Sequence, residues 1–214
     1  MNLYRKPADG SGQAERLTTS ESDQYPTSIS SDGKTLLMTT RNDETKWDIM
    51  MLNLEEGGEA EAFLKTPFSE GSPTFSPDGK WVVYGSNESG KSGKSEIYVR
   101  PFPATGGKWQ ISTGGGGYAR WSPDGKELYY RDDDKLMAVA VTAEGGSFSA
   151  DRPRILFEAS SGGPGFLVPY DVAPDGKRFV WLKDHMPEQS ERTHLRFVFN
   201  WFDDVRAKVP TGAR

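Results

Sequence analysis

Four aspartates stand at the same place in a recurring segment: Ser31-Asp32-Gly33-Lys34, Ser76-Pro77-Asp78-Gly79-Lys80, Ser122-Pro123-Asp124-Gly125-Lys126 and Ala173-Pro174-Asp175-Gly176-Lys177. Repeated carboxylates invite two chemistries, a general acid–base pair or a hard-cation site. Both require the carboxylates to converge on one point. These four are spaced 46, 46 and 51 residues apart, and equivalent positions of a repeat lie around a ring instead of meeting. The segment is accounted for by a turn: Pro presets φ, Asp bonds nearby backbone, and Gly accepts the left-handed conformation of a hairpin bulge. The aspartates are therefore assigned to scaffold.

Other chemistry-bearing residues are sparse. Gly114-Gly115-Gly116-Gly117 lacks the Lys-Ser/Thr of a phosphate-binding loop and precedes a strand-like run, so it reads as a linker between repeats. His185 and His194 are the two histidines, nine residues apart with no helix to bring them together. Asp132-Asp133-Asp134 reads as a solvated turn before it reads as a calcium site. The sequon Asn87-Glu88-Ser89 has meaning only in a glycosylating compartment. No Gly-x-Ser-x-Gly elbow, His-Arg-Asp loop or Asp-Phe-Gly metal motif occurs, and there is no cysteine. No catalytic residue, metal site or cofactor is expected from this sequence.

The elements that would position any site follow from the repeat. An apolar residue precedes each hairpin (Ile29, Phe75, Trp121, Val172), and strand-like runs follow at 35–40, 81–84, 127–130 and 178–182. Third runs lie at 48–54, 96–102, 136–141 and 195–199, and more polar fourth runs at 61–65, 109–112 and 154–158. Polar runs suit outer sheet edges. Residues 3–6 and 15–18 copy third and fourth strands, so the sequence opens in the middle of a unit. Four strands per repeat of this length is the signature of a propeller blade. The expected fold is an all-β propeller of four-stranded antiparallel blades, with about four blade units present: a partial blade at 1–20, units at about 21–66, 67–113, 114–159 and 160–199, and a tail at 200–214. The reading is an arc of a propeller of roughly six to eight blades, the alternative being a four-bladed ring closed by the N-terminal strands. Trp47, Trp81, Trp121, Trp181 and Trp201 are expected to pack between blades.

Composition excludes several partners. With 26 Lys and Arg against 31 Asp and Glu, the net charge of −5 gives no footprint for nucleic acid. No apolar run approaches the ~18 residues of a membrane span. The first residues lack the apolar core of a secretory signal.

The Ser-Pro-Asp-Gly-Lys hairpin, with its preceding aromatic and following strand, resembles the WD-like repeat of the TolB family of bacterial propellers over residues 1–199. The resemblance implies the fold and leaves function open, because related propellers serve TolB itself, prolyl-oligopeptidase-type peptidases and bacterial Ser/Thr kinase receptors. Phe197-Val198-Phe199-Asn200-Trp201-Phe202-Asp203-Asp204-Val205, with Val209-Pro210-Thr211, is similar to the tail of kinase-linked propellers. That likeness implies a non-catalytic binding or sensor module in the C-terminal part of a larger bacterial protein, extracytoplasmic if of kinase-receptor or TolB type. The alternative is a propeller gating a separate hydrolase domain.

In such a propeller the loops before first strands and between second and third strands gather at one channel mouth, where function concentrates. The expected face comprises Tyr25, Tyr118, Arg120, Tyr170 and Asp171 from the first set and Asn87 and Asp132 from the second, with Ser72, Asn42, Asp43, Glu44, Glu88, Asp133, Asp184 and Glu188 around them. Aromatics inside an acidic rim suit a protein or peptide partner. Pairing with further blades and self-association are the other contacts expected.

Overall fold

The computed structural model describes residues 1–89, 93–144, 146–158 and 170–182. Two compact units divide the chain, Met1–Asp184 and His185–Arg214, and every described residue belongs to the first. The expected strand at 195–199, the tail at 200–214, and Asp184, His185, Glu188, His194 and Trp201 lie outside the described residues.

All the regular structure described is antiparallel strand. A short pair, β1 (Tyr4–Arg5) and β2 (Glu15–Arg16), opens the chain. Next comes a four-stranded meander of β3 (Gln24–Ile29), β4 (Thr35–Asn42), β5 (Lys46–Asn53) and β6 (Glu61–Leu64), ordered as in sequence. A second meander repeats it with β7 (Glu70–Phe75), β8 (Trp81–Ser86), β9 (Glu96–Pro101) and β10 (Trp109–Gln110). The third sheet contains β11 (Gly117–Trp121), β12 (Glu127–Asp132), β13 (Lys135–Glu144), β14 (Ser147–Ala150) and β15 (Arg154–Glu158). The described part of the chain closes on a hairpin of β16 (Tyr170–Val172) and β17 (Phe179–Trp181).

The third sheet departs from the simple repeat. The first half of β13 pairs with β15, as a third strand pairs with a fourth, but β13 runs on and folds back so that Val141–Glu144 face Ser147–Ala150 of β14. Gly146, at φ +79°, turns that extension. β14 is exposed except for Phe148, which is buried.

Second strands read as continuous apolar runs because each sheet is covered on both faces. Leu36, Leu37 and Met38 of β4, Trp81 to Tyr84 of β8 and Leu128 to Tyr130 of β12 are all buried. The core is accordingly a series of layers between consecutive sheets. Leu3 packs with Leu36, Met38 and Leu52, and Leu37, Ile49 and Phe63 with Phe75, Val82 and Tyr84. Trp81, Val83 and Ile97 meet Trp121, Leu128 and Phe148, and Tyr129 and Leu136 meet Tyr170. Phe148 touches Trp81 at 5.1 Å, Trp109 at 5.6 Å and Trp121 at 6.4 Å between ring centroids. Trp81 and Trp121 thus pack between sheets, as the sequence led us to expect.

The repeated hairpin is built from its serine. Ser30 Oγ donates to Asp32 Oδ1 at 2.6 Å and accepts from Thr35 N at 2.9 Å. Ser76 repeats this with Asp78 (2.5 Å) and Trp81 N (3.0 Å), and Ser122 with Asp124 (2.6 Å) and Glu127 N (2.9 Å). The fourth hairpin has Ala173 there, and its aspartate instead takes Arg178 Nε at 3.0 Å. The turn glycines sit at φ +66° to +74°, which suits glycine alone without strain. Successive hairpins also touch: a Cβ on Gly79 would fall 2.7 Å from Ser31 Oγ, one on Gly125 3.6 Å from Pro77, and one on Gly176 3.5 Å from Pro123.

Candidate binding site

The first strands β3, β7, β11 and β16 each form one edge of their sheet. β7 lies against β3, β4 and β5, and β11 against β7, β8 and β9, so these edges gather on one inner surface. Side-chain hydrogen bonds stitch them together. Ser28 Oγ accepts from Phe75 N at 3.1 Å, Thr74 Oγ1 donates to Ala119 O at 3.3 Å, and Thr74 O accepts from Trp121 Nε1 at 3.3 Å. Arg120 Nη1 donates to Thr74 Oγ1 at 3.2 Å and to Ala119 O at 3.0 Å.

Each of β3, β7 and β11 carries a bulge, between Pro26 and Ser28, Gly71 and Thr74, and Gly117 and Arg120. Ser72 and Tyr118 adopt left-handed φ values of +53° and +56° within two of them. Bulges re-aim the side chains that follow. Beyond them a pocket of about 280 Å³ opens at the hairpin end of the inner strands, lined by Ser31, Thr74, Arg120, Ser122, Asp171 and Val172 among others. Residues from four consecutive sheets converge there, bringing one cation, one carboxylate and several hydroxyls together.

No family model matches the chain, and no curated protein matches it. Solved structures do. The chain is similar to a protein assigned as TolB from Agrobacterium tumefaciens, with a TM-score of 0.58 and 19% identity over 74% of this chain and 57% of that one. It is similar to TolB from Acinetobacter baumannii, at a TM-score of 0.50 and 18% identity over 82% of this chain and 46% of that one. The fold is that of a TolB-like β-propeller. A protein assigned as a 6-phosphogluconolactonase from Bacteroides uniformis also matches, at a TM-score of 0.51 and 19% identity over 83% of this chain and 56% of that one. The chain spans about half the length of these structures, and identities this low carry the fold alone.

Within this TolB-like arrangement the seven expected site residues stand in different places. Arg120 is the fourth of the five residues of β11, beside its hairpin, and shares the pocket with Asp171. Tyr118 and Tyr170 are joined to each other, Tyr170 Oη donating to Tyr118 O at 2.8 Å. Tyr170 is buried and stacks on Trp181 at 5.6 Å, and its burial raises the hydroxyl pKa well above the ordinary value. Tyr25, 38% exposed, packs edge-on against Trp47. Asn87 ties the ends of β7 and β8, its Oδ1 accepting from Ser69 N at 2.8 Å. Asp132 ends β12, where burial and then Asp133 raise its pKa. Asp133 pairs with Lys94 at 3.0 Å, and Asn42 holds Asp48 at 2.7 Å. Sequence reasoning missed the contribution of Ser31, Thr74 and Ser122, and the signal that would have found it was the repeat position itself.

The remaining polar clusters are structural. Gly115 N donates to both carboxylate oxygens of buried Glu96 at 3.1 Å, so an acid of the protein already occupies the amide that a phosphate would need. A Cβ on Gly116 would meet Ile97 Cγ1 at 2.8 Å, and Gly115 sits at φ +119°, which accounts for these two glycines of the run that leads into β11. The spacing Gly85, Gly90, Lys91, Ser92 also matches a phosphate-loop pattern. Gly85, however, lies within β8, and the described chain that follows is β9 from Glu96, whereas such a loop joins a strand to a helix. Glu70, 1% exposed, accepts from Thr66 Oγ1 through Oε1 while its Oε2 has no partner among the described residues. Burial, and next to it the charge of Asp48, raises its pKa against the Thr66 bond. Among the described residues no group of three or more His, Asp or Glu side chains is placed to hold a metal ion.

Proposed function

We propose that this chain is a non-catalytic binding module of the TolB-like type, which receives a protein or peptide segment on its inner-strand pocket. A larger bacterial protein, such as a Ser/Thr kinase receptor, is the setting that best fits the sequence. The observation that supports this reading is the convergence of Arg120, Asp171, Thr74 and Ser31 from four sheets into one pocket of about 280 Å³. Such a pocket accepts a side chain or chain end and presents fixed polar groups to it, which is how rigid scaffolds recognise segments.

The test is direct. Fluorescein-labelled random pentapeptides are titrated against the purified chain by anisotropy, and the same protein is assayed for peptide and lactone hydrolysis. Saturable peptide binding that weakens when Arg120 is replaced, without turnover, supports the module. Steady turnover of either substrate class, abolished by substitution of a pocket residue, overturns it in favour of an enzyme.

A further inference from the structure

We propose that Arg120 is the receptor for a carboxylate of the bound segment, with Asp171 facing the opposite charge; this rests on the binding-module reading above. The guanidinium is held in place yet incompletely used. Nη1 is committed to Thr74 Oγ1 and Ala119 O, and Thr74 Oγ1 is itself anchored by donating to Ala119 O. Nε and Nη2 have no protein partner among the described residues. Seven ion pairs occur among those residues, and none involves Arg120.

Asp171 does not fill that vacancy. It shares the pocket, but it forms no ion pair with Arg120, and its Oδ1 accepts from Val172 N at 2.9 Å. A half-buried guanidinium without a counter-charge is costly to hold in a fold. Its open Nε–Nη2 edge has the planar two-donor geometry that matches a carboxylate bidentately. Ser31 adds a hydroxyl with no hydrogen-bond partner among the described residues, whereas Ser122 is committed to its own hairpin. The pocket volume suits an acidic side chain or a chain terminus. The net charge of −5 and the carboxylate of Asp171 disfavour a polyanion such as nucleic acid. The ligand is therefore a peptide carboxylate, from a C-terminus or from Asp or Glu.

The experiment compares pentapeptide pools on the full chain by anisotropy: free C-terminal acid against C-terminal amide, and Glu-containing against Gln-containing. The acid or Glu form should bind about tenfold tighter or more, the scale of a charge-assisted bond. Arg120→Gln should abolish that preference while the thermal melt stays within a few degrees of the parent. Arg120→Lys, which keeps the charge and loses the fork, should retain only part of it. Preference for the C-terminal acid and preference for Glu each identify the source of the carboxylate. Equal binding of acid and amide forms, and of Glu and Gln forms, overturns the carboxylate assignment and leaves the binding module standing. Binding by Arg120→Gln with an undiminished preference also overturns it. If neither pool binds in any form, the module reading fails and this inference falls with it.

Discussion

Replacing the hairpin serine by alanine tests whether the repeated motif is held together from inside. In Ser76→Ala, Trp81 N loses its acceptor at 3.0 Å in a buried position, while Asp78 loses one donor but keeps Lys80 N at 3.1 Å. The amide dominates the cost, because a buried donor left unpaired costs about 1–3 kcal/mol. The carboxylate side is exposed to water and adds little. For a chain of this size about 1–2 kcal/mol corresponds to a fall in Tm of roughly 2–8 °C. Ser30→Ala should behave alike, since Ser30 makes the same two bonds. The reverse change, Ala173→Ser, should gain about 0.5–1.5 kcal/mol by giving the fourth hairpin an acceptor it lacks. A pH signature accompanies the loss. The hydrogen bond from Ser30, and then Lys34 N, holds the Asp32 carboxyl below its ordinary 3.8. A depressed carboxylate pKa contributes stability above the unfolded value and loses it as pH falls through the folded value. The gap between parent and Ser30→Ala should therefore narrow below about pH 4, as followed by urea melts across pH. If Ser30→Ala and Ser76→Ala melt within a degree of the exposed-site control Ser147→Ala, the serine does not organise the hairpin and the reasoning is wrong.

Two further outcomes follow from the packing. Phe148→Ala should cost about 3–5 kcal/mol, read from the urea midpoint, because its ring is wedged among Trp81, Trp109 and Trp121; a loss below 1 kcal/mol would make β14 an ornament. Glu70→Gln should stabilise the protein at neutral pH by an amount on the order of 1 kcal/mol. Gln24 already occupies the equivalent place in β3, accepting from Thr18 Oγ1 at 2.6 Å as Glu70 accepts from Thr66. The folded pKa of Glu70 is raised above its ordinary 4.5, so the parent binds more protons folded than unfolded and gains stability as pH falls through that raised value toward 4.5. The variant should lack that gain, and parallel pH–stability curves for the two proteins would refute the assignment.

The strands and hairpins were legible because their causes are local. A turn of Pro, Asp and Gly is written within five residues, and a second strand covered on both faces must be a run such as 81–84. β14 was not legible: 147–150 carries a single large apolar residue, and Phe148 has somewhere to go only because Trp81 and Trp121 come from different sheets. The position of Arg120 was misjudged for a related reason. The propeller layout assigns it to a loop before a first strand, but Gly117 pairs with Arg131 and Arg120 with Tyr129. Two residues therefore bulge opposite one, and Arg120 is carried into β11 near the hairpin. A bulge breaks the alternation that sequence reading depends on.

The repeat nevertheless contains the site in a form that can be stated afterwards. The residue four places before each turn aspartate is Ser28, Thr74, Arg120 and then Asp171. Three of these line the pocket, and the fourth bonds to the neighbouring inner strand. The hairpins must be alike because each one rests on the last, Gly79 on Ser31, Gly125 on Pro77 and Gly176 on Pro123. No such constraint acts on the inner position, whose side chain faces the space between the sheets' edges. Geometry makes these four positions neighbours while packing leaves their chemistry free, so one ring of the scaffold is able to carry a hydroxyl, a cation and an anion side by side. Specificity in a repeat of this kind resides where the units differ, and stability where they agree.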